Sequence, residues 1–147
     1  MAYTTIDNPE LYFQTKLYTG DGNSGTSITL DGSENMQPDW IWGGCRSDAD
    51  NKWLSDSVRG NTKAIFSNTK GAEETSSERI KSFDSDGFTI GNAGDTNTSS
   101  RTFVTWNWKA GGSASNNTDG STTSSVSNNS TAKFSIGTYT GTSSAAT

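Results

Sequence analysis

The chain has 147 residues, enough for one ordinary domain and too few for two large cores. It contains no histidine, which excludes imidazole acid–base chemistry, Ser-His-Asp triads and imidazole metal sites. A net charge of −5 with a pI near 4.5 and no basic stripe argues against a nucleic-acid partner, and no apolar run reaches the roughly 18 residues of a membrane helix.

Hydrophobic residues make up only 29% of the chain, and Leu, Ile, Val and Phe together number 20. Such a composition leans toward disorder, but the modest charge and 15 aromatic residues oppose that reading, since each ring buries a large area. A polar, aromatic-pinned β protein is expected. The single cysteine, Cys45, cannot form an internal disulfide, and the N-terminus shows neither the basic nor the apolar stretch of a signal peptide.

In chain order, residues 1–15 carry Tyr3, Ile6, Leu11, Tyr12 and Phe13, interrupted by Asn8-Pro9. Proline removes an amide donor and moves Asn8 out of helical geometry, so an extended arm is expected, with its apolar groups either packed on the domain or docked on a partner. Lys16–Thr19 and Ser27–Leu30 alternate and are separated by Gly/Asp/Asn turn residues, as in a β-rich chain. Asp39–Trp42 reads as a short strand ended by Gly43-Gly44. Trp53–Gly60 and Lys63–Ser67 read as a strand pair, and 73–78 as a polar loop or at most one helical turn.

Ile80–Phe83 and Phe88–Ile90 flank Asp84-Ser85-Asp86-Gly87, the clearest hairpin signal in the chain. Thr102–Trp108 is the longest strand, with Thr102, Val104, Trp106 and Trp108 on one face and Phe103 on the other. No apolar set recurs at helical spacing for three turns, so no long helix is expected.

Four segments follow: an arm at 1–15, a β-sandwich at 16–110, a Ser/Thr/Asn-rich linker or extended segment at 111–132, and the start of a second β module at 133–147. The linker holds one sizeable apolar residue, Val126, and cannot offset its chain entropy alone. Tyr18-Thr19-Gly20 recurs as Tyr139-Thr140-Gly141, which suggests the N-terminal part of a longer protein of tandem modules.

The run Tyr18-Thr19-Gly20-Asp21-Gly22, then Gln37-Pro38-Asp39-Trp40-Ile41-Trp42, then Asp56-Ser57-Val58-Arg59-Gly60, then Ser82-Phe83-Asp84-Ser85-Asp86-Gly87-Phe88, then Trp106-Asn107-Trp108-Lys109-Ala110-Gly111-Gly112 resembles a family of virion proteins of tailed phages, especially marine and cyanobacterial ones. Its members are described as concanavalin-A-like lectin/glucanase modules, often in tandem in tail fibres or other appendages. The resemblance spans Tyr3 to Gly141. It implies an all-β, antiparallel jelly-roll sandwich, a virion location and a role in adhesion or assembly, and it carries over no catalytic residue.

The chemistry available agrees with a non-enzyme. A sandwich glucanase needs two carboxylates facing one cleft, commonly on alternating strand positions. None of Glu10, Glu34, Glu73, Glu74 and Glu78 lies in such a run. Asp48, Asp50 and Asn51, and Asp84 with Asp86, offer oxygen ligands of the kind calcium favours, but turns require the same residues, and no metal or cofactor is assigned. Trp40, Trp42, Trp106 and Trp108 are expected to form the inner core. Trp53, in a polar stretch beside Asp48, Asp50 and Asn51, is the candidate sugar-stacking residue, with core or inter-subunit packing as the competing reading. Asp56 and Arg59 are expected to form a structural ion pair, and Cys45 a small buried hydrophobe.

The function expected is therefore that of a structural virion protein, a tail-fibre or similar appendage subunit. It would dock to other virion proteins through Tyr3, Ile6, Leu11, Tyr12 and Phe13 and present its sandwich for host attachment, as a homo-oligomer in the threefold manner of fibres. A head-decoration protein and a glycan-binding lectin are the alternatives.

Overall fold

The computed structural model describes residues 6–144. Its strands are β1 (Phe13–Thr19), β2 (Thr26–Thr29), β3 (Trp40–Cys45), β4 (Trp53–Asp56), β5 (Lys63–Phe66), β6 (Glu74–Thr75), β7 (Ile80–Asp84), β8 (Gly87–Ile90), β9 (Thr102–Trp108), β10 (Ser115–Asn117), β11 (Ser124–Asn129) and β12 (Phe134–Tyr139). A one-turn 3-10 segment, Pro9–Leu11, precedes β1, and the four-residue helix α1 (Gly94–Asn97) precedes β9. All strand pairs are antiparallel, in three sheets ordered β1-β9-β3-β4-β5-β6, β2-β8-β7 and β10-β11-β12. The protein is nearly all-β, as its composition implied.

The first two sheets face one another across the main core. Ile41 and Trp53 from the six-stranded sheet meet Ile28, Ile80, Phe88 and Ile90 from the three-stranded one, with Tyr18, Phe66 and Phe83 packed around them. Each buried side chain of this size contributes about 1.5–3 kcal/mol by leaving water. The polar ends of two rings are satisfied at one end of the sandwich by α1. Trp53 Nε1 donates to the Asp95 carbonyl at 3.2 Å, and the Tyr18 hydroxyl donates to the Thr96 carbonyl at 2.8 Å. Burial pushes the Tyr18 phenol far above its usual range.

Alternation along β3 and β9 is as the sequence implies, but the inner face is the opposite one. Ile41 and Phe103 are fully buried, whereas Trp42 is 37% exposed and Trp40, Trp106 and Trp108 are partly buried. Gly43 supplies the physical reason. It stands opposite Trp53 in the β3–β4 register, and a Cβ built there would lie 2.1 Å from the Trp53 ring. The bare position on β3 thus receives the indole, and that side of the sheet becomes the inside. β3 consequently runs through Gly43-Gly44 to Cys45 instead of ending at Trp42.

The hairpin between β7 and β8 forms where Asp84-Ser85-Asp86-Gly87 places it. Gly87 has φ 137°, and a Cβ there would meet the Ile28 carbonyl oxygen at 2.1 Å, so glycine is required both by the backbone and by the neighbouring strand β2.

Both ends of the chain depart from the expected segmentation. Residues 13–15 are not an arm, because β1 begins at Phe13 and pairs with β9 along all seven of its residues. Of the two alternatives for residues 111–132, residues 115–117 and 124–129 take the extended one, because β10 and β11 are strands that continue into β12 as one meander. A polar three-stranded meander needs a surface to lie on, and here it lies on this same domain. Phe134 packs against Trp40 and Trp108, with ring centroids 6.1 and 6.2 Å apart. Ser127 Oγ accepts from Gly111 N–H at 3.0 Å and donates to the Gly112 carbonyl at 2.7 Å. The buried Asp39 carboxylate ties the crossing segment down by accepting from Ala110 N–H at 2.9 Å and from Ser57 Oγ at 3.0 Å. The C-terminal piece therefore completes this domain rather than opening another.

Candidate functional surface

The outer face of the six-stranded sheet carries the side chains that the core leaves out. Register aligns them in rows across the strands. One row is Phe13–Trp108–Trp40–Asp56, the next is Thr15–Trp106–Trp42–Leu54–Ile65, and the third is Leu17–Val104–Gly44. In the first row Phe13 lies 4.7 Å and Trp40 4.6 Å from Trp108, centroid to centroid, and Phe134 of the meander packs over Trp40 and Trp108. Among the described residues the second and third rows have no such cover. Trp42 and Trp106 pack at 5.4 Å with their planes tilted by 47°, and Leu17, Trp42 and Ile65 are 55%, 37% and 42% exposed.

Charges rim one side of this patch. The Asp56 carboxylate accepts from Val58 and Arg59 N–H and, at 2.5 Å, from Arg59 Nε. Arg59 reaches Glu73 at 3.1 Å, and Lys63 reaches Glu73 at 3.6 Å. The Asp56–Arg59 pair is structural, because it closes the turn after β4 and also donates to the Leu54 carbonyl. An apolar, aromatic centre with a charged rim is the usual form of a recognition surface on a protein that is otherwise polar.

The residues singled out from sequence fall elsewhere. Trp53 is fully buried, against Gly43 and below α1, so it offers no face to a sugar and the stacking role is withdrawn. Its polar neighbours in sequence mislead because they belong to the loop before β4, whereas Trp53 itself points inward on the strand. Asp48 and Asp50 do converge, but on Arg101, at 2.6 and 2.5 Å. The guanidinium occupies the place a cation would take between them. Asn51 Oδ1 accepts from Asn68, tying the loop to the end of β5. Among the described residues no group of three or more Cys, Asp or Glu is arranged to hold a metal ion.

Of the docking set, Phe13 is part of the outer face, Leu11 closes the 3-10 turn, Tyr12 caps it and Ile6 is partly buried, while Tyr3 lies outside the described residues. What sequence reading missed was the outward orientation of Trp42 and Trp106. The available signal was Gly43, one residue away on the opposite face and without a side chain of its own.

A second polar cluster fixes the 20–26 turn. The Asp21 carboxylate accepts from Asn23 N–H at 2.8 Å, from Thr26 Oγ1 at 2.9 Å and from Asn97 Nδ2 at 3.0 Å. These bonds, the Asn23 amide first, hold the Asp21 carboxyl at about 2 against an ordinary 3.8. A lowered acid stabilises the fold above its unfolded value and loses that contribution as pH falls through the folded one. Stability is therefore expected to decline between pH ~4 and ~2 with a component that Asp21→Asn abolishes, and an NMR titration is expected to place the Asp21 carboxyl near 2. A carboxyl titrating at 3.8 or above would contradict the described bonding.

The fold and the surface together define a class: an antiparallel β-sandwich module with an aromatic outer face. A family described as "Domain of unknown function (DUF7483)" matches residues 8–147, and the chain belongs to it. No curated protein and no solved structure matches.

Proposed function

We propose that this chain is a non-catalytic structural module of a tailed-phage virion, in a tail fibre or similar appendage, with a jelly-roll sandwich of the concanavalin-A-like kind, and that it is mounted on neighbouring virion proteins through the outer face of its six-stranded sheet. The observation that carries the reading is the uncovered row Trp106–Trp42–Leu54–Ile65, four apolar side chains in register across four strands on a chain with few apolar residues. Keeping such groups in water is costly unless a partner covers them. The phage setting is supported by the sequence resemblance, which implies virion adhesion or assembly.

A second reading is favoured by the same two indoles. Tilted aromatic rings flanked by Thr15, Lys63 and Glu73 also suit the apolar face of a sugar, which would make the surface receptor-facing.

Phage particles carrying Trp42→Ser with Ile65→Ser separate the readings. Mounting predicts at least about a tenfold loss of the chain from purified particles, measured by quantitative mass spectrometry, with the isolated module still folded. Normal incorporation with failed adsorption to host cells would favour the glycan reading. Particles that incorporate the variant and adsorb as wild type would overturn both.

A further inference from the structure

The edge of the six-stranded sheet at β1 carries a separate feature. Among the described residues β1 pairs only with β9, and the flanking bonds Gly20 N–H to Arg101 O and Lys109 N–H to Tyr12 O, each 2.9 Å, set the phase of that ladder. In an antiparallel pair the bonded positions alternate, so the even-numbered residues of β1 bond to β9. Phe13, Thr15, Leu17 and Thr19 then aim their N–H and C=O groups away from the sheet, and among the described residues no hydrogen bond reaches those groups.

Natural edges are usually blunted by a short strand, a proline, a bulge or a charged side chain, inward-pointing charges included. Of these β1 has only the last. It is seven residues long, its register with β9 is unbroken, and it contains no proline. Its one charge, Lys16, is turned inward and paired with Asp31. The opposite edge of the same sheet, β6, is by contrast two residues long and carries Glu74.

We infer that β1 is a self-association edge, and that a second copy of this chain adds its own β1 antiparallel to it about a two-fold axis through Thr15. Two features of the strand select this occupant and this register. An axis at Lys16 would set two ammonium groups directly opposite one another, which antiparallel pairs avoid. An axis at Thr15 sets Thr15 opposite Thr15 of the second copy, Gln14 opposite Lys16, and Phe13 opposite Leu17 twice. The two large apolar side chains that β1 exposes, at 37% and 55%, then cover one another.

The second layer of the sandwich extends the seam. Gln14 accepts from Gly32 N–H and donates to the Glu34 carbonyl, both at 2.9 Å, so the segment after β2 lies directly beneath β1. Five residues of β1 pair about the axis at Thr15, so the seam is about 17 Å long and, across a two-layer edge about 20 Å deep, buries on the order of 350 Å² per copy, or about 700 Å² in total, the size of a weak, concentration-dependent association. A two-fold pair differs from the threefold arrangement that fibres suggest, and it leaves the Trp42–Ile65 row open for the mounting proposed above.

Sedimentation equilibrium of the full chain tests the inference, with amide exchange read at β1. A dimer of the 15.6 kDa chain is expected, with the amides of Phe13, Thr15 and Leu17 protected in the concentrated protein and exchanging freely on dilution. Thr15→Pro removes the N–H on the axis without removing a bond to β9. Leu17→Lys keeps the whole backbone and adds a charge at the edge. Each is expected to weaken association at least about tenfold with the circular dichroism spectrum unchanged, and Trp42→Ser is expected to leave the dimer intact. Should Thr15→Pro fail to fold, Leu17→Lys decides alone. A wild-type monomer at ~1 mM, a trimer, or a dimer that survives Leu17→Lys would overturn the inference.

Discussion

Trp53→Ala is expected to lower unfolding stability by about 3–5 kcal/mol, measured by urea denaturation followed through the remaining indoles. The side chain has no exposed surface, it is the largest member of the main core, and its ring fills the space that Gly43 leaves on β3. Truncation opens a cavity between two sheets that are fixed by their own ladders and cannot collapse onto it. It also deprives the Asp95 carbonyl of its Nε1 donor. In a domain whose total stability is of order 5–15 kcal/mol, that loss is a large share of the whole. Trp53→Phe retains most of the buried area and is expected to lose less than half as much. A loss below about 1 kcal/mol for the alanine variant would place Trp53 at the surface, against the fold described.

Asn97→Ala is expected to cost about 3 kcal/mol by the same measurement, from hydrogen bonding rather than packing. The side chain is fully buried at the end of α1. Its Nδ2 donates to Asp21 Oδ1 at 3.0 Å, to the Asn23 carbonyl at 2.8 Å and to the Gly91 carbonyl at 3.0 Å, while its Oδ1 accepts from Asp21 N–H at 3.0 Å. One amide thus joins the 20–25 turn to the segment after β8. Alanine leaves those groups without the partner that water cannot replace in a buried site. Asn97→Asp keeps the shape and the acceptor but removes the donors and sets a second carboxylate against Asp21, so it is expected to be at least as harmful near neutral pH and to recover in acid. Equal stability of the wild type and the alanine variant would show that the turn is held by its own residues alone.

The strands themselves were legible because period-two alternation and Gly/Asp turns are local signals. β2, β4, β5, β7, β8 and β9 all lie where their residues indicate, and the β7–β8 turn is specified by Asp86-Gly87. What alternation does not specify is which face turns inward. The four alternating tryptophans look like a core, yet the inner position is decided by the fit of Trp53 over Gly43, a contact between strands. The polar character of 111–132 was equally plain, but its strand state depends on β12 and on Trp40 and Trp108, which supply the surface it lies on. The acids of 48–50 were visible from sequence, whereas Arg101, some 50 residues further on, is brought to them only by the β3–β9 pairing. The ion pair of Asp56 and Arg59 was accessible because both partners belong to one tight turn.

Hydroxyl-radical footprinting of the module, free and within the phage particle proposed to carry it, tests the central claim most directly. Strong labelling of Trp42, Trp106 and Ile65 is expected in the free module, with loss of that labelling in the particle and no labelling of Trp53 in either. Equal labelling of Trp42 and Ile65 in the two states, or labelling of Trp53 in the folded module, would contradict it.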